Sequence, residues 1–245
     1  IAYGKLVNGG QTCIAPDYVM IHASDYDAFV QELQNAAQKQ FSNPAEFTSA
    51  IDEHQLARWH HLVQDAVDRG AQVIPLISSA DNVDLPFTPV ALRNAPEDSL
   101  IMLEEVFGPI LPIVTINDID STIRYINHRP MPLALYWFGK NKEVMKRILN
   151  ETRSGGVTIN DTLLHAAVED LPFGGIGASG MGAYHGKAGF EAFSHRKSVL
   201  EVRGFLGLHF LRGTQLARPP YGKGVERLLR CLLYTSPSPR DGLLS

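Results

Sequence analysis

The chain has 245 residues, of which 44% are apolar and 20% charged, and its net charge at neutral pH is −4. That length buries a full hydrophobic core in one large domain or two small ones. Mild acidity gives no reason to expect nucleic acid or an anionic membrane as partner, and no apolar run approaches the roughly 20 residues that span a bilayer.

The amino terminus lacks the basic and apolar stretches of a signal peptide. The chain opens without methionine, at Ile1, and a cysteine arrives almost at once. We therefore expect a sequence that starts inside a larger protein. With 2 cysteines in all, neither a disulfide framework nor a cysteine-rich metal site is available. Scarce cysteine suits a reducing, cytoplasmic setting.

Cys13 sits after Asn8-Gly9-Gly10-Gln11-Thr12, and the strand-like run Tyr18 to Ile21 follows it. A lone thiol on a glycine-flanked loop, where backbone N–H groups converge on negative charge, is how an activated nucleophile is presented. A small residue packed at a loop–strand junction is the plain alternative.

Downstream, residues 25–40 carry the stripe Phe29, Val30, Leu33, Ala36 and Ala37 of an amphipathic helix. Residues 52–69 repeat it with Leu56, Trp59, Leu62, Val63, Ala66 and Val67, and Gly70 stands at the helix stop. Gln72 to Ile77 reads as a strand, with Pro75 marking an edge or bend, and 78–86 as a polar loop. Phe87 to Leu92 and Ile110 to Ile116 read as further strands. Asp118 is placed to cap a helix that ends near Asn127. Leu133 to Phe138 looks like a strand buried on both faces, Lys142 to Asn150 like a helix, and Gly155 to Asn160 like a last short strand. This alternation predicts an α/β fold, a mostly parallel sheet with flanking helices, followed by a loop and a strand arm. Lys187 to Phe193 suggests a short helix, and Lys197 to Val202 an outlying strand suited to pairing with another domain or subunit.

Pro172 to Gly182 is dense in glycine. No clear helix opens at this loop and no phosphate-binding lysine is spaced for it, so close backbone packing accounts for it better than a phosphate cradle. In Leu103-Glu104-Glu105-Val106-Phe107-Gly108-Pro109, side-chain alternation puts Glu105 on one face with Phe107. A carboxylate beside a ring can hold a sugar diol and support a flat heterocycle. A solvated acidic turn over a buried Phe is the alternative.

Taken together, Asn8 to Cys13, Glu104 to Pro109 and Pro172 to Gly180 resemble the aldehyde dehydrogenase family, in the expected order. Gly180 to Phe190 and Phe193 to Lys197 look like its class 3 branch. Gln11 to Tyr18 and Leu133 to Gly139 are similar to coniferyl aldehyde dehydrogenases. The likeness covers about residues 1–230. It implies that Cys13 attacks an aldehyde, that NAD or NADP takes the hydride, and that a thioester is then hydrolysed. It also implies that Glu105 binds the nicotinamide ribose, that Phe107 packs by the nicotinamide, and that Asn160 lies near the substrate end. An asparagine ending a strand in a turn is the alternative for Asn160. The intact enzyme is expected to be a homodimer with a small-molecule aldehyde as its partner and no metal.

The family's general-base glutamate lies in a Glu-Leu-Gly-Gly motif upstream of the cysteine, and no such motif occurs here. Glu32 and Glu53 lie on later helices and cannot take its place. We expect residues 1–165 to form the catalytic domain, 166–204 a glycine loop and bridging arm, and 205–233 an extension. Residues 234–245 resemble translated adapter sequence, and Cys231 beside them is given no function. Two other readings stand: a thiol hydrolase pairing Cys13 with His185 or His165, and a non-catalytic module that associates through residues 197–202.

Overall fold

The computed structural model describes residues 1–41, 43, 46–77, 85–201, 219, 221–226 and 230. Val202, most of the 78–86 loop, nearly all of the 205–233 extension, Cys231 and the 234–245 tail lie outside them. The chain divides into two compact units, Ile1–Ser194 and His195–Ser245.

The first unit holds six strands: β1 Val19–His22, β2 Gln72–Pro75, β3 Val90–Arg93, β4 Ile110–Ile116, β5 Ala134–Trp137 and β6 Gly156–Ile159. The helices are α1 Ala2–Leu6, α2 Tyr26–Gln40, α3 Glu53–Asp68, α4 Leu100–Leu103, α5 Ile119–His128, α6 Lys142–Glu151 and α7 Gly186–Ala192. One sheet runs β1-β4-β3-β2, with β4 parallel to both β1 and β3 and with β2 antiparallel at the edge. Pro75 closes that edge strand, where a missing N–H does least harm. β5 and β6 form a separate parallel pair joined through α6.

Alternation along β3 and β4 explains why helices cover both faces of the larger sheet. Ala91, Leu111 and Ile113 pack with Leu33 and Ala37 of α2. Val90, Leu92 and Ile110 pack with Trp59, Leu62 and Ala66 of α3. Burying each such leucine or isoleucine contributes about 1.5–3 kcal/mol. Caps fix the helix starts: the Asp52 carboxylate accepts from Gln55 N–H at 2.7 Å and the Asp118 carboxylate from Ser121 N–H at 2.7 Å. At the end of α3, Gly70 takes φ +104°, as its place after the last apolar turn required.

Three expectations are corrected. β5 is half-buried along its length, not buried on both faces, because it pairs with β6 alone and its other side lines a cavity. The glycines ahead of Cys13, read as part of a loop, close a 3₁₀ turn over Val7–Gly10 that follows α1; these stretches are too short and glycine-rich to show periodicity. Residues 197–201 of the second unit join no ladder and are exposed, since no described strand lies alongside to pair with them. The helix expected at 187–193 is α7, one residue earlier.

The glycine loop is a packing device. A Cβ on Gly174 would lie 2.1 Å from the Gly182 carbonyl oxygen, and one on Gly155 would lie 2.3 Å from that of Gly174. Phe173 and Tyr184 exchange backbone hydrogen bonds, both 2.9 Å, and tie the loop back on itself.

Candidate active site

Cys13 is exposed on a rigid turn. Asn8, Gly9 and Gly10 take φ of 53°, 62° and 72°, a left-handed run that suits Asn and Gly. Asn8 Nδ2 donates to Gln11 O at 3.0 Å. Gln11 Nε2 donates to Ser49 O at 3.0 Å, and its Oε1 accepts from Ile51 N–H at 2.9 Å. Ala15 N–H then donates to Thr12 O at 2.9 Å, so Cys13 and Ile14 are the central residues of a closed turn. Among the described residues, Cys13 N–H donates to no acceptor.

The Glu104 to Pro109 corner is gripped by its backbone. From α3, Arg58 donates to Val106 O at 2.8 Å, to Glu105 O at 2.7 Å and to the Glu104 carboxylate at 3.1 Å. Gln55 Nε2 and Trp59 Nε1 both donate to Phe107 O, at 2.9 and 3.1 Å. Those bonds hold Phe107 at φ +45°, a conformation a bulky residue adopts at a cost. Its ring remains 37% exposed. Glu104 spends its carboxylate on Arg58, whereas that of Glu105 accepts no hydrogen bond among the described residues. Burial, then the Asp17 charge, push the Glu105 carboxyl above its ordinary value.

Two contacts join the cysteine turn to this corner. A Cβ on Gly10 would lie 2.3 Å from Gly108 O, so the backbones meet there directly. Asp17 Oδ1 accepts from Val106 N–H at 2.9 Å. Beneath both, Lys5 is 1% exposed. Burial lowers its ammonium to about 8, against the attraction of Asp17 and Glu105. Burial likewise raises Asp17, with Lys5 the main opposing charge. Cys13 and Glu105 line one cavity of about 1150 Å³, and Glu105 with Phe107, Asn8 and Gln11 lines a second of about 860 Å³. Glu105 stands where the two share a wall.

A profile of the aldehyde dehydrogenase family matches residues 1–199. The chain belongs to the aldehyde dehydrogenase family. It is 42% identical over 232 residues to a probable coniferyl aldehyde dehydrogenase of Pseudomonas aeruginosa, covering 94% of this chain and 47% of that protein. It is 40% identical over 200 residues to a dimeric NADP-preferring aldehyde dehydrogenase of Rattus norvegicus, covering 82% of this chain and 44% of that one. The solved substrate-bound structure of Staphylococcus aureus AldH aligns with a TM-score of 0.72 at 34% identity, covering 95% of this chain and 49% of that one. The chain spans about half the length of the curated relatives it matches.

Within this aldehyde dehydrogenase chain, the other singled-out residues stand apart from Cys13 and Glu105. Asn160 follows β6 at φ +59°, accepts from Gly139 N–H at 2.8 Å through Oδ1, and does not line the Cys13 cavity. The hydrolase pairing is not formed. His165 Nδ1 bonds Thr158 Oγ1 at 2.8 Å and its Nε2 is buried without a partner. His185 stacks on Phe173 at 5.9 Å, its Nδ1 also buried without a partner. Among the described residues no His, Cys, Asp or Glu cluster could hold a metal, and no helix is long and apolar enough to cross a membrane.

Burial lowers His165 below the ordinary imidazole value. Between about pH 6.5 and that lower value the unfolded chain binds the extra proton, so stability falls as pH drops through this window. Thermal melting at pH 5.5 is therefore expected below that at pH 7.5, and His165→Gln narrows the difference. An equal difference in both proteins excludes His165 as the source.

Sequence reasoning missed Lys5, Asp17, Gln55, Arg58, Trp59 as a donor, and Tyr136. One signal was present. Gln55 lies four residues before Trp59 and Arg58 four before Leu62, so both border the apolar stripe. Polar groups on a buried face need partners, and here the partners are the corner's carbonyls.

Proposed function

We propose that this chain forms the part of an NAD(P)-dependent aldehyde dehydrogenase that carries the nucleophile and grips the nicotinamide ribose. The intact enzyme oxidises coniferyl or another aromatic aldehyde to its acid. One observation supports this most: a thiol on a rigid turn lines the same cavity as a carboxylate that accepts no hydrogen bond among the described residues. Glu105 has acceptor capacity to spare for a ribose diol, and the half-exposed Phe107 ring beside it can support a flat heterocycle. The two residues thus fit a nicotinamide riboside.

In the proposed reaction the Cys13 thiolate adds to the carbonyl carbon and forms a thiohemiacetal. The oxyanion takes a hydrogen bond from Cys13 N–H, which is uncommitted within the described chain. When bound, NAD(P)⁺ supplies the hydride acceptor. Cys13 is left as a thioester, which water cleaves to the acid, restoring the thiol. Asn160 is assigned to the substrate end through its Nδ2, because its Oδ1 is committed to Gly139. Residues 1–165 act as the catalytic domain and 166–204 as a bridging arm. Dimer formation through that arm agrees with the unpaired, exposed Val199 and Leu200.

By itself the 245-residue chain is expected to form the adduct without turnover, since no upstream general-base glutamate is present in it. Carbonyl-¹³C benzaldehyde added to a Cys231→Ser variant should give a thiohemiacetal resonance that Cys13→Ser abolishes, with no NADH formed from NAD⁺. Absence of the resonance would sink the assignment of Cys13. Aldehyde-dependent NADH production would sink the claim that this chain lacks turnover.

A further inference from the structure

Tyr136, on β5, sends its hydroxyl away from its own sheet to the cysteine turn. Its Oη donates to Ile14 O at 2.6 Å. The Leu163 N–H lies close enough to the phenol to favour its ionised form. Leu163 is held at φ +66°, a left-handed conformation that a bulky side chain avoids unless its surroundings impose it. The phenol thus ties β5 to the turn that presents Cys13, with its one donor committed to Ile14 O.

The geometry of the turn makes this bridge consequential. Cys13 and Ile14 are the two central residues between Thr12 O and Ala15 N–H. The Thr12–Ala15 bond closes the ends of the turn and leaves the peptide planes inside it free to tilt together. Ile14 is 6% exposed and its carbonyl is the one central group with an outside anchor among the described residues. Anchoring that plane, which joins Ile14 to Ala15, restrains the residue next to Cys13 and so steadies the closed turn from which the thiol projects. Burial first, opposed by the nearby Leu163 N–H and reinforced by Cys13, pushes the ionisation of the Tyr136 phenol up to about 12, so it stays protonated. The phenol is therefore a hydrogen-bond donor to Ile14 at neutral pH.

We propose that Tyr136 is a positioning residue for Cys13, its hydroxyl holding the Ile14 carbonyl so that the thiol faces the cavity it shares with Glu105. This inference rests on the reading of Cys13 as the nucleophile that attacks an aldehyde. Misdirecting a reacting atom by a fraction of an ångström weakens addition while leaving the fold intact. Tyr136→Phe keeps the ring and its contact with His165, 6.0 Å between centroids, and removes the oxygen alone.

The test uses the 245-residue chain with Cys231→Ser throughout and carbonyl-¹³C benzaldehyde as probe. Tyr136→Phe should weaken the Cys13 adduct about tenfold and shift the ¹³C resonance of the Ile14 carbonyl. The pH midpoint of Cys13 alkylation by iodoacetamide should stay where it was, because the phenol hydrogen points at Ile14 rather than at the sulfur. A 3-fluorotyrosine at position 136, which keeps the hydroxyl, should form the adduct at least as well as the unmodified chain. This variant decides the matter should the phenylalanine variant fold poorly: loss of the adduct with the hydroxyl present overturns the inference. Equal adduct strength in the unmodified chain and Tyr136→Phe also overturns it. No adduct in the unmodified chain would instead sink the underlying reading of Cys13, a result distinct from either.

Discussion

Gly10→Ala is expected to cost on the order of 3 kcal/mol of folding stability, from two separate penalties at one atom. At φ +72° any L side chain is strained, which accounts for about 1–2 kcal/mol. The added methyl would also lie 2.3 Å from Gly108 O and 2.9 Å from Lys5 O. Both neighbours are backbone, so neither can swing aside as a side chain would. The overlap adds about 1–3 kcal/mol. Gly70→Ala provides the control: φ there is +104° but nothing lies within 4 Å of the added Cβ, so only strain is felt. Urea unfolding of the two variants measures the difference. Equal losses in both would mean that the cysteine turn and the corner do not touch at Gly10.

Asp17→Ala is expected to cost about 3 kcal/mol, because it strands two buried partners at once. Val106 N–H loses its acceptor at 2.9 Å, and Val106 is 0% exposed, so water does not replace it. Lys5, already lowered to about 8 by burial, loses the charge that most opposes that shift. Asp17→Asn separates the two effects, since it keeps an oxygen for Val106 and removes the charge. It should cost less than half as much as the alanine change, and Lys5 should titrate lower in both variants. Urea unfolding gives the stabilities, and ¹⁵N-detected lysine titration gives the second readout. Similar losses in both variants would show that the charge, and not the strut to Val106, matters at this position.

Much of the fold was legible because burial imposes a period. The stripe Trp59, Leu62, Ala66 placed α3, and the Asp118 cap placed α5, to within a residue. β4 declared itself by a run apolar on both faces, which two covering helices require. α1 and α4 span 5 and 4 residues, too few for any period to appear. β5 was misjudged because an apolar run reports affinity for a buried setting, not whether neighbours occupy both faces. In the candidate site, Cys13, Glu105 and Phe107 were singled out by local chemistry and by the order of the motifs. Asp17 and Arg58 were not, since each acts across 89 and 48 residues of sequence on a backbone atom that has no letter of its own.

The grip on the corner has a consequence for how this site can vary. Arg58, Gln55 and Trp59 hold the carbonyls of Glu105, Val106 and Phe107, and Asp17 holds an amide. A scaffold that grips the main chain is indifferent to the side chains displayed on it. The residue at position 107 can change in size or polarity while the loop keeps its path. New side chains can therefore be tried at that corner one at a time, without first rebuilding the frame that holds it.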